Sequence, residues 1–252
     1  MEKWIGKVAV VTGASSGIGA ETCRQLVDRG MVVVGFARRL EKLQALQKEL
    51  NGKRGKFHFV KVDLCSEENI VKAFKWVKST LKSVDVLVNN AGVYKDSDVV
   101  EGNPGDWKLM FDTNVLASCI CSKETVKIMK ELKINGHIVN INSDVGHYPP
   151  TLMPNFIIYG ATKLSSVSIT ESLREQLALQ ELPIRVTSIS PGLVNTEMVK
   201  EFYDLLKLEP SNIADAILYA LAVPQSVNIT EIIIRPTGET MLPYIKSAMN
   251  IN

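Results

Sequence analysis

Residues 8–19 of the chain are VAVVTGASSGIG. An apolar, mostly β-branched run at 8–11 passes into a glycine-rich segment at 12–19, and a segment with helical spacing of apolar residues follows at 17–29. Short runs of this composition are typical of strands covered on both faces of a sheet. The stretch therefore predicts a buried strand, a tight glycine turn and a helix, which together form the first unit of an α/β sheet.

The same alternation continues along the rest of the chain. Further strands are predicted at 31–36, 57–62, 84–88, 137–141, 184–189 and 228–234. Helices are predicted at 17–29, 40–50, 67–79, 107–133, 159–179 and 212–221. Alternation of this kind implies parallel strands joined by right-handed crossovers. We therefore expect an α/β fold that forms a single domain over residues 1–252, with a doubly wound, seven-stranded parallel sheet and helices on both faces.

Composition excludes several classes of protein. The formal net charge is +2, and basic residues are scattered among acidic ones, so we expect no nucleic-acid partner. No apolar stretch is long enough for a membrane span and no signal peptide is evident, so we expect a cytoplasmic protein. Cysteine and histidine spacing predicts no metal site. The residues expected to be reduced thiols are Cys23, Cys65, Cys119 and Cys121.

The glycines after the first predicted strand have the spacing G-x-x-x-G-x-G. Residues without Cβ atoms let backbone N–H groups approach phosphate oxygens, and the N-terminus of the following helix adds partial positive charge. In a doubly wound sheet this loop holds the pyrophosphate of a dinucleotide. The loop residues expected to contact such a cofactor are Gly13, Ser15, Ser16, Gly17, Ile18 and Gly19.

The end of the second predicted strand indicates which dinucleotide is bound. Proteins that use NAD place an acidic residue there, about 20 residues beyond the glycines, to bind the ribose 2′-hydroxyl. Here that position is taken by Ala37, and Arg38 and Arg39 follow. Guanidinium groups bind a 2′-phosphate, which a carboxylate would repel. The pattern favours NADP(H), with Arg38 as the preferred phosphate ligand and Arg39 as the alternative.

Tyr159 and Lys163 lie four residues apart in a predicted helix, so their side chains share one face. A free phenol, with a pKa of about 10, is a poor base at neutral pH. A neighbouring ammonium group, together with the positive nicotinamide of an oxidised cofactor, favours the phenolate. Tyr159 is therefore a candidate general base for oxidation of an alcohol and a candidate general acid for reduction of a carbonyl.

Motifs along nearly the whole chain occur in the order and spacing of one family. They are Thr12-Gly13-x-x-x-Gly17-Ile18-Gly19, Asp63, Asn89-Asn90-Ala91-Gly92, Asn114, Ser143, Tyr159-x-x-x-Lys163 and Pro191-Gly192 with Thr196. On these motifs the chain resembles the short-chain dehydrogenase/reductase family. The resemblance implies one Rossmann-like domain and an oxidoreductase that moves a hydride between NADP(H) and an alcohol or carbonyl carbon.

The resemblance also implies a role for each matching residue. Ser143 would hydrogen-bond the substrate oxygen, and Lys163 would hold the nicotinamide ribose as well as assist Tyr159. Asn114 would hold a water molecule that relays protons to Lys163. The remaining cofactor contacts implied by the resemblance are Asp63, Leu64, Asn90, Ala91, Gly92, Pro191, Gly192, Val194 and Thr196.

Local sequence strings suggest a substrate class. The strings at 107–117, 136–143 and 235–237 look like those of farnesol dehydrogenases and related dehydrogenase/reductases. That likeness implies an apolar substrate such as farnesol, another isoprenoid alcohol or a steroid. An apolar stretch predicts a substrate lid at about 193–210. The loop at 144–158 is longer than is usual in the family. Its His147 is expected to be an exposed loop residue, and a contact with the substrate is the alternative.

Two further expectations concern assembly and an alternative function. Apolar side chains occupy more than one stripe of the predicted helices 107–133 and 159–179, which members of the family commonly pair between subunits. We therefore expect a homodimer or a homotetramer built on dimers. A catalytically silent NADP(H)-binding sensor or scaffold is the alternative, although such a protein would be expected to lack Ser143, Tyr159 or Lys163.

Overall fold

The computed structural model describes residues 1–148, 154–199 and 205–240. Within these residues the chain forms one sheet of seven strands, each parallel to its neighbours. The strands are β1 (Val8–Thr12), β2 (Val32–Ala37), β3 (Lys56–Lys61), β4 (Val86–Asn89), β5 (His137–Ile141), β6 (Arg185–Pro191) and β7 (Glu231–Ile234). The first six lie close to their predicted positions, and the seventh begins three residues later than the start predicted at 228.

The strand order is β3-β2-β1-β4-β5-β6-β7, so β1 lies between β2 and β4. The chain builds the sheet outward to β3 and then returns to place β4 on the other side of β1. At such a reversal the loops that follow the two central strands diverge and leave a crevice at the carboxyl ends of the strands. The topology therefore places a candidate ligand site between the loops that follow Thr12 and Asn89.

Helices cover both faces of this sheet. They are α1 (Gly17–Asp28), α2 (Leu40–Leu50), α3 (Glu67–Leu81), α4 (Pro104–Phe111), α5 (Ala117–Leu132), α6 (Ile157–Leu179) and α7 (Pro210–Ala222). Successive strand side chains point to opposite faces, so Ala9 and Val11 pack with α1, α2 and α7, whereas Val8 and Val10 pack with α3, α5 and α6. The predicted single α/β domain with a doubly wound parallel sheet is confirmed. None of the helices in the described part of the chain is long and apolar enough to cross a membrane.

The helix predicted at 107–133 departs from regular α-helical geometry at one point. Between α4 and α5, residues Asp112–Leu116 form a π-helical turn, and the buried side chain of Asn114 belongs to it. A π turn accommodates one additional residue and is frequent at functional sites. The spacing of apolar residues averages over such an insertion, which is why the sequence predicts a single uninterrupted helix.

Candidate active site

A cleft of about 670 Å³ opens at the carboxyl ends of the central strands. The predicted site residues that line it are Gly13, Ser15, Ser16, Gly17, Ile18, Arg38, Arg39, Asp63, Leu64, Asn90, Ala91, Gly92, Ser143, Tyr159, Lys163, Pro191, Gly192, Val194 and Thr196. Gly19 and Asn114 lie behind the cleft wall rather than in it. The fold thus brings together motifs that are spread over most of the sequence.

The glycine loop after β1 is shaped by close approach of other backbone segments. Gly13 adopts a positive φ of 67°, and a Cβ atom there would lie 2.8 Å from the Asn90 side-chain nitrogen. At Gly19 a Cβ atom would lie 2.4 Å from the carbonyl oxygen of Gly13, so Gly19 lets α1 pack directly beneath the loop. Gly19 therefore shapes the loop from below and does not face the cleft.

The N-terminus of α1 is left without a side-chain cap. Ser16 occupies the N-cap position but accepts no hydrogen bond from the helix, and the first turn of α1 contains no acidic residue. The first amides of a helix lack intrahelical partners and attract anions. This end of α1 therefore fits a phosphate group that enters the cleft.

The loop after β4 is tied to the end of β1. The Asn90 side chain donates to the carbonyl oxygen of Thr12 at 2.8 Å, and the Thr12 hydroxyl accepts from the backbone amides of Asn90 and Ala91 at 3.0 Å each. Asn90 thus braces neighbouring strands while its surroundings line the cleft. These bonds hold the two walls of the crevice at a constant separation.

The two arginines after β2 have different environments. Arg39 donates to the Ser15 hydroxyl at 2.9 Å and to the Ser16 hydroxyl, and it pairs with Glu197 at 2.6 Å. Lys42 pairs with the same carboxylate, and the hydrogen bonds from Arg39 and Lys42 lower the pKa of Glu197 to about 2. Arg38 lines the cleft without a side-chain partner among the described residues. Arg39, rather than the preferred Arg38, is therefore the arginine already held against the glycine loop.

Tyr159 and Lys163 lie one helical turn apart at the start of α6. The Lys163 ammonium lies 5.7 Å from the centre of the Tyr159 ring and donates to the carbonyl oxygen of Ile141 at 3.1 Å. Burial lowers the pKa of Lys163 to about 8. Burial also raises the pKa of Tyr159 to about 12; a hydrogen bond from Ser143 opposes this shift, and the charge of Asp144 adds to it. The site on its own thus keeps the phenol protonated.

Ser143 lies just beyond the end of β5 and is mostly buried. Its hydroxyl is within reach of two acceptors, the Asp144 carboxylate at 3.3 Å and the carbonyl oxygen of Pro191 at 3.5 Å. Asn114 joins different elements: its side chain donates to the carbonyl oxygen of Val93 at 2.9 Å and to the Thr162 hydroxyl at 3.0 Å, and it accepts from the Val93 amide. Asn114 therefore fixes the loop after β4 against the N-terminal part of α6, which carries Tyr159 and Lys163.

An aromatic group that the sequence interpretation missed surrounds the candidate catalytic tyrosine. The rings of Tyr94 and Phe156 stack at 4.7 Å, and the Tyr94 ring meets the Tyr159 ring edge-on at 5.7 Å. Both added rings line the cleft. Only their positions in the sequence could have pointed to these two residues, because Tyr94 closely follows the Asn-Ala-Gly motif and Phe156 closely precedes Tyr159.

A charged group in the cleft wall was also missed by the sequence interpretation. Arg235, from the segment after β7, pairs with Asp144 at 2.8 Å and lies 4.7 Å from the centre of the Tyr148 ring. Glu239 lies beside them in the cleft wall, and burial raises its pKa. Asp144 directly follows Ser143, so its adjacency in the sequence was the one available signal.

The expectation for His147 is wrong. Its side chain is only 19% exposed, and its Nε2 atom lies 2.7 Å from the Glu231 carboxylate and 3.2 Å from the Ser190 hydroxyl. The loop folds back over β6 and β7, so the ring meets polar groups that are distant in the sequence. His147 does not line the cleft, and residues 149–153 of the same loop lie outside the described part of the chain.

The proposed lid is described in part. Leu193, Val194, Met198 and Val199 line the cleft, and Val194 forms a β-bridge with Leu208. A short 3-10 turn spans Glu197–Val199. Residues 200–204, which include the apolar Phe202 and Tyr203, lie outside the described residues.

Comparison with known proteins identifies the class to which this fold and cleft belong. The family model of the short chain dehydrogenases matches residues 7–206, and the chain belongs to that family. Within it, the chain is similar to the farnesol dehydrogenase of Aedes aegypti, with 44% identity covering 95% of this chain and 99% of the relative. It is also similar to dehydrogenase/reductase SDR family member 11 of Mus musculus, with 40% identity covering 95% and 97% of the two chains.

Solved structures show the same fold with a bound cofactor. The closed form of a serine dehydrogenase complexed with NADP+ superposes with a TM-score of 0.84 at 28% identity, covering 92% of this chain and 96% of that one. A metagenomic short-chain oxidoreductase in complex with NADP has a TM-score of 0.81 at 30% identity, covering 92% and 98%. The chain is therefore an oxidoreductase of this family by sequence and by fold.

Proposed function

We propose that the protein is an NADP(H)-dependent oxidoreductase that interconverts an alcohol and a carbonyl compound by hydride transfer. The observation that carries the proposal is that Ser143, Tyr159 and Lys163 line the same cleft as the glycine loop. The cleft thereby holds a hydrogen-bond donor (Ser143), a proton-transfer group (Tyr159) and an ammonium group (Lys163) beside a loop with the features of a dinucleotide-binding site.

The residues of the cleft fit NADP(H). The uncapped start of α1 and the Cβ-free surface at Gly13 would hold the pyrophosphate. Asp63 would lie at the adenine, Lys163 at the nicotinamide ribose, and Thr196 near the carboxamide. When bound, the cofactor supplies or accepts the hydride, and the chain's own residues handle the proton.

Cofactor choice would depend on the arginines after β2. Arg39 is held by Ser15 and Ser16 at the mouth of the glycine loop, and Arg38 is free to turn toward a ligand. A 2′-phosphate placed between them would gain charge-assisted hydrogen bonds. It would also compete with Glu197, whose carboxylate engages Arg39. We assign Arg39 to the phosphate and Arg38 as its second ligand.

Proton transfer would run through Tyr159. In carbonyl reduction the phenol gives its proton to the substrate oxygen, and a pKa raised by burial ensures that the proton is present at neutral pH. In alcohol oxidation the phenol must first lose that proton, which the Lys163 ammonium and the positive nicotinamide favour. Ser143 would stabilise charge on the substrate oxygen, and Asn114 would hold the water that relays protons to Lys163.

The substrate is proposed to be an apolar alcohol or carbonyl compound such as farnesol, another isoprenoid alcohol or a steroid. Stacked rings of Tyr94 and Phe156 form one wall, and the aliphatic chains of Leu193 and Met198 form another. Apolar walls favour ligands that bury hydrocarbon surface. The likeness to the Aedes aegypti enzyme supports the same class. The segment at about 193–210 would act as the lid of this single catalytic domain, 1–252.

The chain is also proposed to form a homodimer or a homotetramer. Leu116 and Leu164 are 53% and 54% exposed on the π turn and on α6. Exposure of apolar leucine side chains to water is unfavourable, and a twofold contact between subunits would bury them. Other apolar residues of the helices predicted to pair, such as Met129 and Leu177, are buried within the chain and are not available for a contact between subunits.

A cofactor-coupled screen tests the catalytic proposal. NADP+ reduction is followed with farnesol, geraniol, short alcohols and steroids, and each assay is repeated with NAD+ and with the Tyr159→Phe variant. We expect turnover of apolar alcohols with NADP+ that the variant does not support. Tight NADPH binding without turnover across the whole panel would instead support the catalytically silent sensor.

A further inference from the structure

Asp144 is the charged side chain that lies nearest to the reacting groups without having been assigned a part in the reaction. It follows Ser143 directly, at the start of a 3-10 turn that spans Asp144–Gly146. Its Oδ1 atom accepts from the Ser143 hydroxyl at 3.3 Å, and its Oδ2 atom pairs with Arg235 at 2.8 Å. The Asp144 side chain is 14% exposed and that of Arg235 is 42% exposed, so water screens this ion pair only in part.

We propose that Asp144, held in place by Arg235, is a positioning residue that orients the Ser143 hydroxyl and favours the protonated form of Tyr159. This inference rests on the proposed function, because it concerns the proton donor of that reaction. It gives the ion pair between Asp144 and Arg235 a role in the pH dependence of the site.

The single proton of the Ser143 hydroxyl links Asp144 to Tyr159. A serine hydroxyl donates one hydrogen bond. Three acceptors compete for it. They are the Asp144 carboxylate at 3.3 Å, the more distant carbonyl oxygen of Pro191 at 3.5 Å, and the phenolate form of Tyr159, whose pKa a hydrogen bond from Ser143 lowers. While Ser143 donates to Asp144, the phenolate loses that stabilisation, and the phenol form is favoured.

The charges of Asp144 and Arg235 also act on the protonation of Tyr159. Burial is the main cause of the raised pKa of Tyr159, and the negative charge of Asp144 raises it further, because a nearby anion disfavours the phenolate. Arg235 supplies the opposite charge at hydrogen-bond distance from Asp144. The ion pair therefore limits how far Asp144 raises the proton affinity of Tyr159. Removal of the Asp144 charge should lower that affinity, and removal of the Arg235 charge should raise it.

The groups that face this pair come from several elements. Lys163 approaches Tyr159 from α6, and the Tyr94 phenol ring approaches it from the loop after β4. Arg235 and Glu239 approach Asp144 from the segment after β7, and the Asp144 charge raises the pKa of Glu239.

A pH profile of the full-length enzyme tests the proposal. The profile of kcat/KM for alcohol oxidation with NADP+ is compared among wild type, Asp144→Asn, Arg235→Gln and the charge-conserving control Arg235→Lys. We expect the alkaline inflection to fall by about half to one pH unit in Asp144→Asn and to rise by a similar amount in Arg235→Gln. Arg235→Lys should stay near wild type. An unmoved inflection, or shifts in the same direction for both neutral variants, would overturn the proposal, because a merely structural ion pair predicts those results.

A second measurement does not depend on turnover. The fraction of Tyr159 ionised at a fixed alkaline pH is obtained from ultraviolet tyrosinate absorbance, each protein being compared with the same protein carrying Tyr159→Phe. The expected order is Asp144→Asn above wild type and Arg235→Lys, with Arg235→Gln lowest. If no alcohol is oxidised but this order holds, the proposed function fails and the inference about Asp144 stands; any other order overturns the inference.

Discussion

Burial acts on Tyr159 and Lys163 in opposite senses, because it disfavours the charged form of each group. It raises the pKa of the phenol to about 12 and lowers that of the ammonium to about 8. At neutral pH the phenol can therefore donate a proton, and Lys163 remains mostly in its charged form. At the scale of single residues, this protonation state fits the proposed role of Tyr159 as the proton donor in carbonyl reduction.

Tyr159→Phe removes only the hydroxyl oxygen, since the ring still packs against Tyr94. General acid–base groups contribute a factor of about 10² to 10⁴ in rate, and we expect turnover to fall by that amount while NADPH binding is retained. Steady-state rates and fluorescence titration with NADPH measure the two quantities. A variant that keeps more than about a third of the wild-type rate, with the chemical step limiting, contradicts the assignment of the proton-transfer group.

Arg39→Ala and Arg38→Ala form a matched pair for the phosphate site. Hydrogen bonds to charged groups contribute about 1.5 to 3 kcal/mol, so loss of the main ligand should weaken NADPH binding by about 10- to 100-fold. Because Arg39 is the residue held at the glycine loop, we expect the larger loss from Arg39→Ala. NADH affinity, titrated in parallel, serves as the control and should change little. A larger loss from Arg38→Ala would return the phosphate to Arg38.

At the scale of elements, the cleft depends on how closely α1 packs under the loop that precedes it. A Cβ atom at Gly19 would lie 2.4 Å from the carbonyl oxygen of Gly13, too close for any rotamer change to relieve. The contact is between backbone segments, so relief requires the loop or the helix to move. Cofactor affinity and fold stability should therefore both respond to this position.

Gly19→Ala is expected to lower the free energy of unfolding by about 1 to 3 kcal/mol, as overpacking does, and to weaken NADPH binding. Gly105→Ala is the matched control, because the nearest atom to a Cβ there is a side-chain oxygen of Asn103 at 3.2 Å, and no backbone atom is in close contact. Urea unfolding and NADPH titration of both variants provide the comparison. If Gly19→Ala binds NADPH as tightly as the control does, the loop is not held by this contact.

At the scale of the whole molecule, exposed leucines on the π turn and α6 predict self-association. Light scattering of wild type should give a mass of at least two chains of 27.8 kDa. Leu164→Glu places a charge at the proposed contact and should yield single chains. Val100→Glu is the control, because Val100 is 87% exposed but lies outside the π turn, α5 and α6. Wild type that scatters as one chain rules out the proposed assembly.

Features that depend on short stretches were predictable from the sequence. The strands, helices and glycine loop follow from local composition and from the period of apolar residues, since each element must bury a particular face. The Tyr159 and Lys163 pair follows from helical spacing, and its placement beside Ser143 follows from resemblance to a family with a constant topology. In those cases a few neighbouring residues, or the order of motifs that the family shares, determine the structural feature.

Only the tertiary structure decided which side chains meet across the cleft. The bond between Arg39 and Glu197 joins residues 158 positions apart, and Arg235 reaches Asp144 from the end of the last strand. Charged residues are common on every surface, so their sequence positions do not reveal a partner. The packing of Tyr94 on Phe156 and the burial of His147 have the same origin. Such contacts depend on how loops from separate strands converge at one edge of the sheet, and no local pattern encodes that convergence.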